Sequence, residues 1–124
     1  MKLRIKGDSL RMRLSQGEVD ILIEAESVSD VINFGNAKLT YQLIFTDATK
    51  ASALYDNDCV SIYIPKQIGI RWASSDQVSI EETIPLDDGS SLSILMEKDF
   101  KCLTDRPNED ESDLFENPIC KHDC

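Results

Sequence analysis

Four side chains near the end of this 124-residue sequence could hold a metal: Cys102, Cys120, His122 and Cys124. Thiolate and imidazole are the donors that tetrahedral zinc takes, and four of them complete a structural site. The spacing, C-x17-C-x-H-x-C, is not that of a common zinc knuckle. Alternate residues of an extended chain point the same way only along a straight strand, so an irregular tail must bend to gather these four. The plainer reading is a chain end with incidental thiols. His122 is the only histidine, and so the only side chain whose ordinary pKa suits a general base near neutrality.

A second group could bind an anion. Lys2, Arg4, Lys6, Arg11 and Arg13 stand at alternate positions on either side of Gly7-Asp8. A hairpin there puts all five on one face, against Leu3, Ile5, Leu10, Met12 and Leu14 on the other. Like charges opposite one another destabilise a sheet by up to about 1 kcal/mol each, so a carboxylate, internal or external, should offset them. Catalytic signatures are lacking: there is no G-x-S-x-G, no phosphate-binding glycine loop and no H-E-x-x-H. No catalytic residue is assigned, and no cofactor is expected apart from the zinc considered above.

Net charge narrows the partner. The chain carries −10, yet residues 1–14 hold five cations and one anion, leaving 8 cations and 22 anions elsewhere. The basic patch, at +4, thus sits on a remainder of −14. Such a field opposes nonspecific approach to DNA or anionic lipid. A protein partner or self-association is the expectation, nucleic acid is disfavoured, and no membrane contact is expected. No apolar run approaches the roughly 20 residues that cross a bilayer. Met1-Lys2-Leu3 leads into polar alternation instead of a signal peptide, so the cytoplasm is expected, with Cys59 and the other cysteines as thiols or metal ligands.

The elements that must position these groups follow from periodicity. After the first hairpin, Ser15-Gln16-Gly17-Glu18 has the S-x-x-E form of a capping box, and Val19, Leu22 and Ile23 give one helical stripe. Val28, Asp30, Ile32 and Phe34 then Leu39, Tyr41, Leu43 and Phe45 alternate around Gly35-Asn36. Near Ala53 the pattern restarts. Val60, Ile62 and Ile64 echo Leu10, Met12 and Leu14. Pro65 stands where Ser15 stood, and Ile68 and Trp72 mark a short helix weakened by Gly69. Val78, Ile80 and Ile84 then Leu92, Ile94 and Met96 close the second round across Asp87-Asp88-Gly89. A constant offset of 50 relates Leu10 to Val60, Met12 to Ile62, Leu14 to Ile64 and Val28 to Val78.

These readings predict an α+β fold: two tandem ββαββ units, residues 3–46 and 53–97, closing one barrel-like, mostly antiparallel domain over residues 1–103. An acidic tail with cysteines and histidine follows at 104–124. The expected core is Leu10, Met12, Leu14, Leu22, Ile32, Phe34, Tyr41, Leu43, Val60, Ile62, Ile64, Trp72, Val78, Ile80, Leu92 and Ile94.

Two resemblances add to this. Ile64-Pro65-Lys66, Asp76, Val78, Ile80, Gly89, Leu92 and Ile94, with GDSLRMRLS in the first unit, resemble the swapped-hairpin modules of AbrB, MazE and SpoVT transcription factors. That resemblance implies interleaved hairpins, a pseudo-dimer within one chain and, as a runner-up function, DNA binding. A small zinc protein is a third reading. The whole chain, with KLRIKGDSLRMRLSQGEV near its start and EKDFKCL near its end, also resembles a family of small uncharacterised bacterial proteins, which implies no activity. The favoured expectation is a non-enzymatic binding module that uses the basic first hairpin.

Overall fold

The computed structural model describes residues 1–100 and residue 115. Its elements run β1 (Lys2–Lys6), β2 (Ser9–Leu14), α1 (Gln16–Ala25), β3 (Ser27–Asn33), β4 (Lys38–Thr46), β5 (Ser52–Asp56), β6 (Cys59–Pro65), α2 (Lys66–Ala73), β7 (Ser79–Pro85) and β8 (Ser91–Lys98). The fold is α+β, with mostly strands and two short helices.

Local chemistry accounts for most boundaries. Gly7 takes φ +54° in the first turn, a conformation glycine adopts without strain. Asn57 and Asp58 make the matching turn with φ of 51° and 57°. Asn and Asp tolerate this region better than other side chains, and two positive φ values suit a two-residue hairpin. Ser15 caps α1 as a capping box: its hydroxyl accepts from the Glu18 amide, and the Glu18 carboxylate accepts from the Ser15 amide. Helix α1 ends at Glu26 in the left-handed region. Pro65 occupies the N-cap of α2 without any side-chain cap.

The strands form two four-stranded mixed sheets. Sheet A has the order β1-β2-β8-β7 and sheet B the order β3-β4-β6-β5. Each contains two antiparallel hairpins joined by a central parallel pair, β2 with β8 and β4 with β6. Among the described residues there is no closed barrel, which corrects the barrel-like expectation. Sequence alternation assigns a face to each side chain, but closure depends on which edges pair, and here β1, β7, β3 and β5 remain edges.

One cluster of buried side chains links both sheets and both helices. Sheet A contributes Met12, Leu14, Ile80, Ile84, Ile94 and Met96; sheet B contributes Val28, Leu43, Phe45, Ile62 and Ile64; Val19, Leu22 and Trp72 come from the helices. Trp72 also donates its indole N–H to the Val78 carbonyl at 2.9 Å. Gly69 is buried, and a Cβ added there would stand 2.6 Å from Cζ and 2.9 Å from Cδ1 of Phe45. The glycine that weakens α2 is therefore where the Phe45 ring enters.

Several expected core residues stand elsewhere. Ile32 and Phe34 are 46% and 63% exposed, and Val78 is 41% exposed. Leu10, Tyr41, Val60 and Leu92 are half-buried at the cluster's margin. Periodicity says which face a residue takes; it does not say how far along that face the packing extends. Val78 has a second cause. Register matches Val28–Leu43–Ile62 with Ile80–Met96–Met12, so the counterpart of Val28 is Ile80, two residues later than the offset of 50.

Candidate functional site

The basic face is assembled as the alternation requires. On the outer side of sheet A, Lys2 lies opposite Arg13, Arg4 opposite Arg11, and Lys6 opposite Ser9. Continuing across the parallel pair, Arg13 meets Glu97 and Arg11 meets Leu95; Glu81 lies beyond Leu95 on β7. The inward residues of β2, Met12 and Leu14, are fully buried, which holds Arg11 and Arg13 outward.

Among the described residues, internal carboxylates compensate one end of this face and not the other. Glu97, 8% exposed, takes Arg11 Nε at 2.7 Å and Arg13 Nε at 2.9 Å. Neither nitrogen meets that oxygen in good hydrogen-bond geometry, so the attraction is mainly between charges. Asp99, also buried, takes Lys2 Nζ at 2.9 Å. At the turn end, Arg4 and Lys6 are exposed, and neither has a carboxylate within ion-pair distance among the described residues. Arg4, Lys6, Ser9, Leu10, Arg11 and Leu95 line a shallow groove of about 390 Å³. It sets three cations beside the apolar side chains of Leu10 and Leu95.

Two further polar clusters were not legible in the sequence. The first is the Met1 amino group, held by the Glu18 and Asp30 carboxylates, the latter at 3.0 Å; Tyr41 donates its hydroxyl to the Met1 carbonyl at 2.9 Å. Burial favours the neutral amine, but the Glu18 and Asp30 hydrogen bonds and charges together outweigh it, so the amine pKa rises above 8.0. The hydrogen bond from the amine, despite some burial, lowers Asp30 below its ordinary value. Burial raises Tyr41, with help from the Asp30 and Glu18 charges. The second is Lys98, 5% exposed. Its Nζ donates to the Ser75 carbonyl at 2.6 Å and lies 5.6 Å from the Trp72 ring and 5.5 Å from the Phe115 ring. Burial lowers its pKa, with Asp76 opposing. A lysine on the Ser75 carbonyl just past a helix end, faced by two rings, accounts for this buried charge without a ligand. The EKD run at Glu97–Asp99 was the available signal, since three charged residues there continue a strand whose alternate positions are apolar.

The zinc candidates Cys102, Cys120, His122 and Cys124 lie outside the described residues, as does the rest of the acidic tail apart from Phe115. Among the described residues, no group of three or more His, Cys, Asp or Glu side chains is placed to hold a metal ion. Cys59 is a half-buried free thiol on the outer side of sheet B, its sulfur 3.6 Å from the Ser61 hydroxyl. Among the described residues, no helix is long and apolar enough to cross a membrane.

No curated protein and no solved structure matches this sequence. A family model does match, over residues 1–119: the chain belongs to a family of unknown function (DUF7009).

Proposed function

We propose that this protein is a non-enzymatic binding module, that its contact surface is the basic outer face of the β1–β2 hairpin, and that its partner is an acidic protein surface. One observation carries the reading. Glu97 and Asp99 hold the cations at one end of the face, while Arg4 and Lys6 at the other end have no described carboxylate. Arg4 stands directly opposite Arg11, a like-charge pair that an incoming anion would relieve. The net charge of −10 favours a local protein contact over a long polyanion.

The test is retention of the full chain on immobilised poly-L-glutamate. Retention at low salt, lost as salt rises and lost in Arg4→Ser/Lys6→Ser, is expected. Absence of retention at low salt overturns the proposal. Stronger retention on duplex DNA would transfer it to the nucleic-acid reading.

We also infer that the chain is two ββαββ units in tandem that exchange hairpins. Three features support this. The β1–β2 and β5–β6 ladders share one register under the offset of 50, as Lys2–Arg13 and Ser52–Tyr63 illustrate. The Ser93 amide donates to the Asp8 carbonyl as the Thr40 amide donates to Asp58. The Lys98 amide donates to Val78 as the Phe45 amide donates to Glu26. Under that relation, the counterparts of Arg4, Arg11 and Arg13 are Leu54, Ser61 and Tyr63. A symmetric grip on DNA would lack cations on one side. Superposition of residues 3–46 on 53–97 that leaves β2 and β6 out of register would refute the repeat.

A further inference from the structure

The edge strand β1 carries a more specific inference, which rests on the contact surface proposed above. Among the described residues, strand β1 pairs with β2 on one side and with no strand on the other. Edge strands of this kind are usually protected. The opposite edge of sheet A, β7, contains Glu81, Glu82 and Pro85, and proline cannot extend a ladder. The protection on β1 is of another sort: Lys2, Arg4 and Lys6 at alternate positions, about 6.8 Å apart along a strand. Cations in that pattern repel a second strand like β1. Lys2 is held by Asp99, and Arg4 and Lys6 complement a strand with carboxylates at alternate positions.

The other face of the same edge is apolar. Ile5 is 62% exposed, between the half-buried Leu3 and the turn, with Leu10 as its neighbour on β2. The edge therefore has three functions side by side: backbone donors and acceptors, cations outward and an apolar rim inward. We propose that β1 receives an extended acidic peptide segment of a partner protein as an added strand of sheet A. The segment alternates acidic residues, facing Arg4 and Lys6, with apolar residues that cover Ile5. Main-chain hydrogen bonds supply affinity, and the alternation supplies specificity. A phosphodiester chain can accept from the edge amides, but it has no alternating donors and acceptors and no side chains at strand spacing, so the edge favours peptide.

The experiment uses fluorescence anisotropy with the full chain and a labelled nine-residue peptide alternating glutamate and valine. Two control peptides keep the composition nearly constant: one groups the glutamates together, and one has proline at the central position. Binding of the alternating peptide is expected, at least ten-fold weaker for either control and at least ten-fold weaker for Arg4→Ser/Lys6→Ser. Equal binding of all three peptides overturns strand addition while leaving the acidic contact surface standing. Failure of all three peptides, with poly-L-glutamate still retained, also overturns strand addition alone. Failure of poly-L-glutamate retention as well removes the contact surface on which it rests. A single-stranded oligonucleotide that binds more tightly than the alternating peptide overturns the selection of peptide.

Discussion

Sheets A and B share one strand plan and differ in the residues on their outer faces. At matching positions, Lys2, Arg4, Lys6, Arg11 and Arg13 of one correspond to Ser52, Leu54, Asp56, Ser61 and Tyr63 of the other. Below the surface the two agree more closely: Leu3, Met12, Met96 and Ile80 cross sheet A as Ala53, Ile62, Leu43 and Val28 cross sheet B. The shared inward residues build the fold, and the outward ones are what the fold leaves free to differ. At the helix end even the inward row diverges. Phe45 in sheet B enters the notch at Gly69, while Lys98 in the matching place of sheet A reaches the Ser75 carbonyl.

The largest effect should come from closing the notch that belongs to sheet B alone. Gly69→Ala forces the Phe45 ring aside and should cost about 2 kcal/mol in denaturant unfolding. A change under about 0.5 kcal/mol would mean that the ring has room elsewhere, and the contrast between Phe45 and Lys98 would lose its basis.

A smaller effect should separate the charged surface from the neutral one. Glu97→Gln leaves Arg11 and Arg13 without their shared carboxylate and should cost about 1–2 kcal/mol, less than a fully buried pair because both arginines are partly exposed. The same change should strengthen retention on poly-L-glutamate. Weaker retention would show that Glu97 orients the arginines for binding and does not compete with the partner.

The smallest effect concerns the Met1 clamp, which has no ion-paired counterpart at Ala51. Asp30→Asn should cost about 1 kcal/mol near neutrality. The amine has a raised folded pKa, so its contribution is complete below 8.0 and is lost as pH rises through the folded value above 8.0. Asp30 has a lowered folded pKa, so its contribution is complete above 3.8 and is lost as pH falls through the lower folded value. The difference between wild type and Asp30→Asn should therefore be flat between these limits and shrink on both sides. A difference that persists well above pH 8 would assign Asp30 a role apart from the amine.

Much of the fold was legible because its devices are local. Gly7-Asp8, the Ser15–Glu18 box and the alternation of β2 and β6 each act over a few residues. Pairing across the halves is not local: Met12 beside Met96 and Leu43 beside Ile62 depend on the whole chain. The same limit explains Ile32, whose alternation is correct but whose end of β3 is uncovered, while its counterpart Ile84 is buried. The five cations of the candidate site were legible by type and face. Their division into a compensated end and an end with no described carboxylate was not, because Glu97 comes from β8 and Asp99 from just beyond it.

The order in which the two sheets can form follows from their central parallel pairs. Sheet B joins Thr40 to Cys59, close in the chain, whereas sheet A must bring Ser9 to Ser93. Loop closure across the longer span costs about 1 kcal/mol more in chain entropy. Refolding should therefore protect the β4 and β6 amides before those of β2 and β8 in pulsed hydrogen exchange, and the reverse order would contradict this. The basic hairpin, although it precedes β8 in the chain, would then be late to reach its final charge pattern, since Glu97 arrives only with β8.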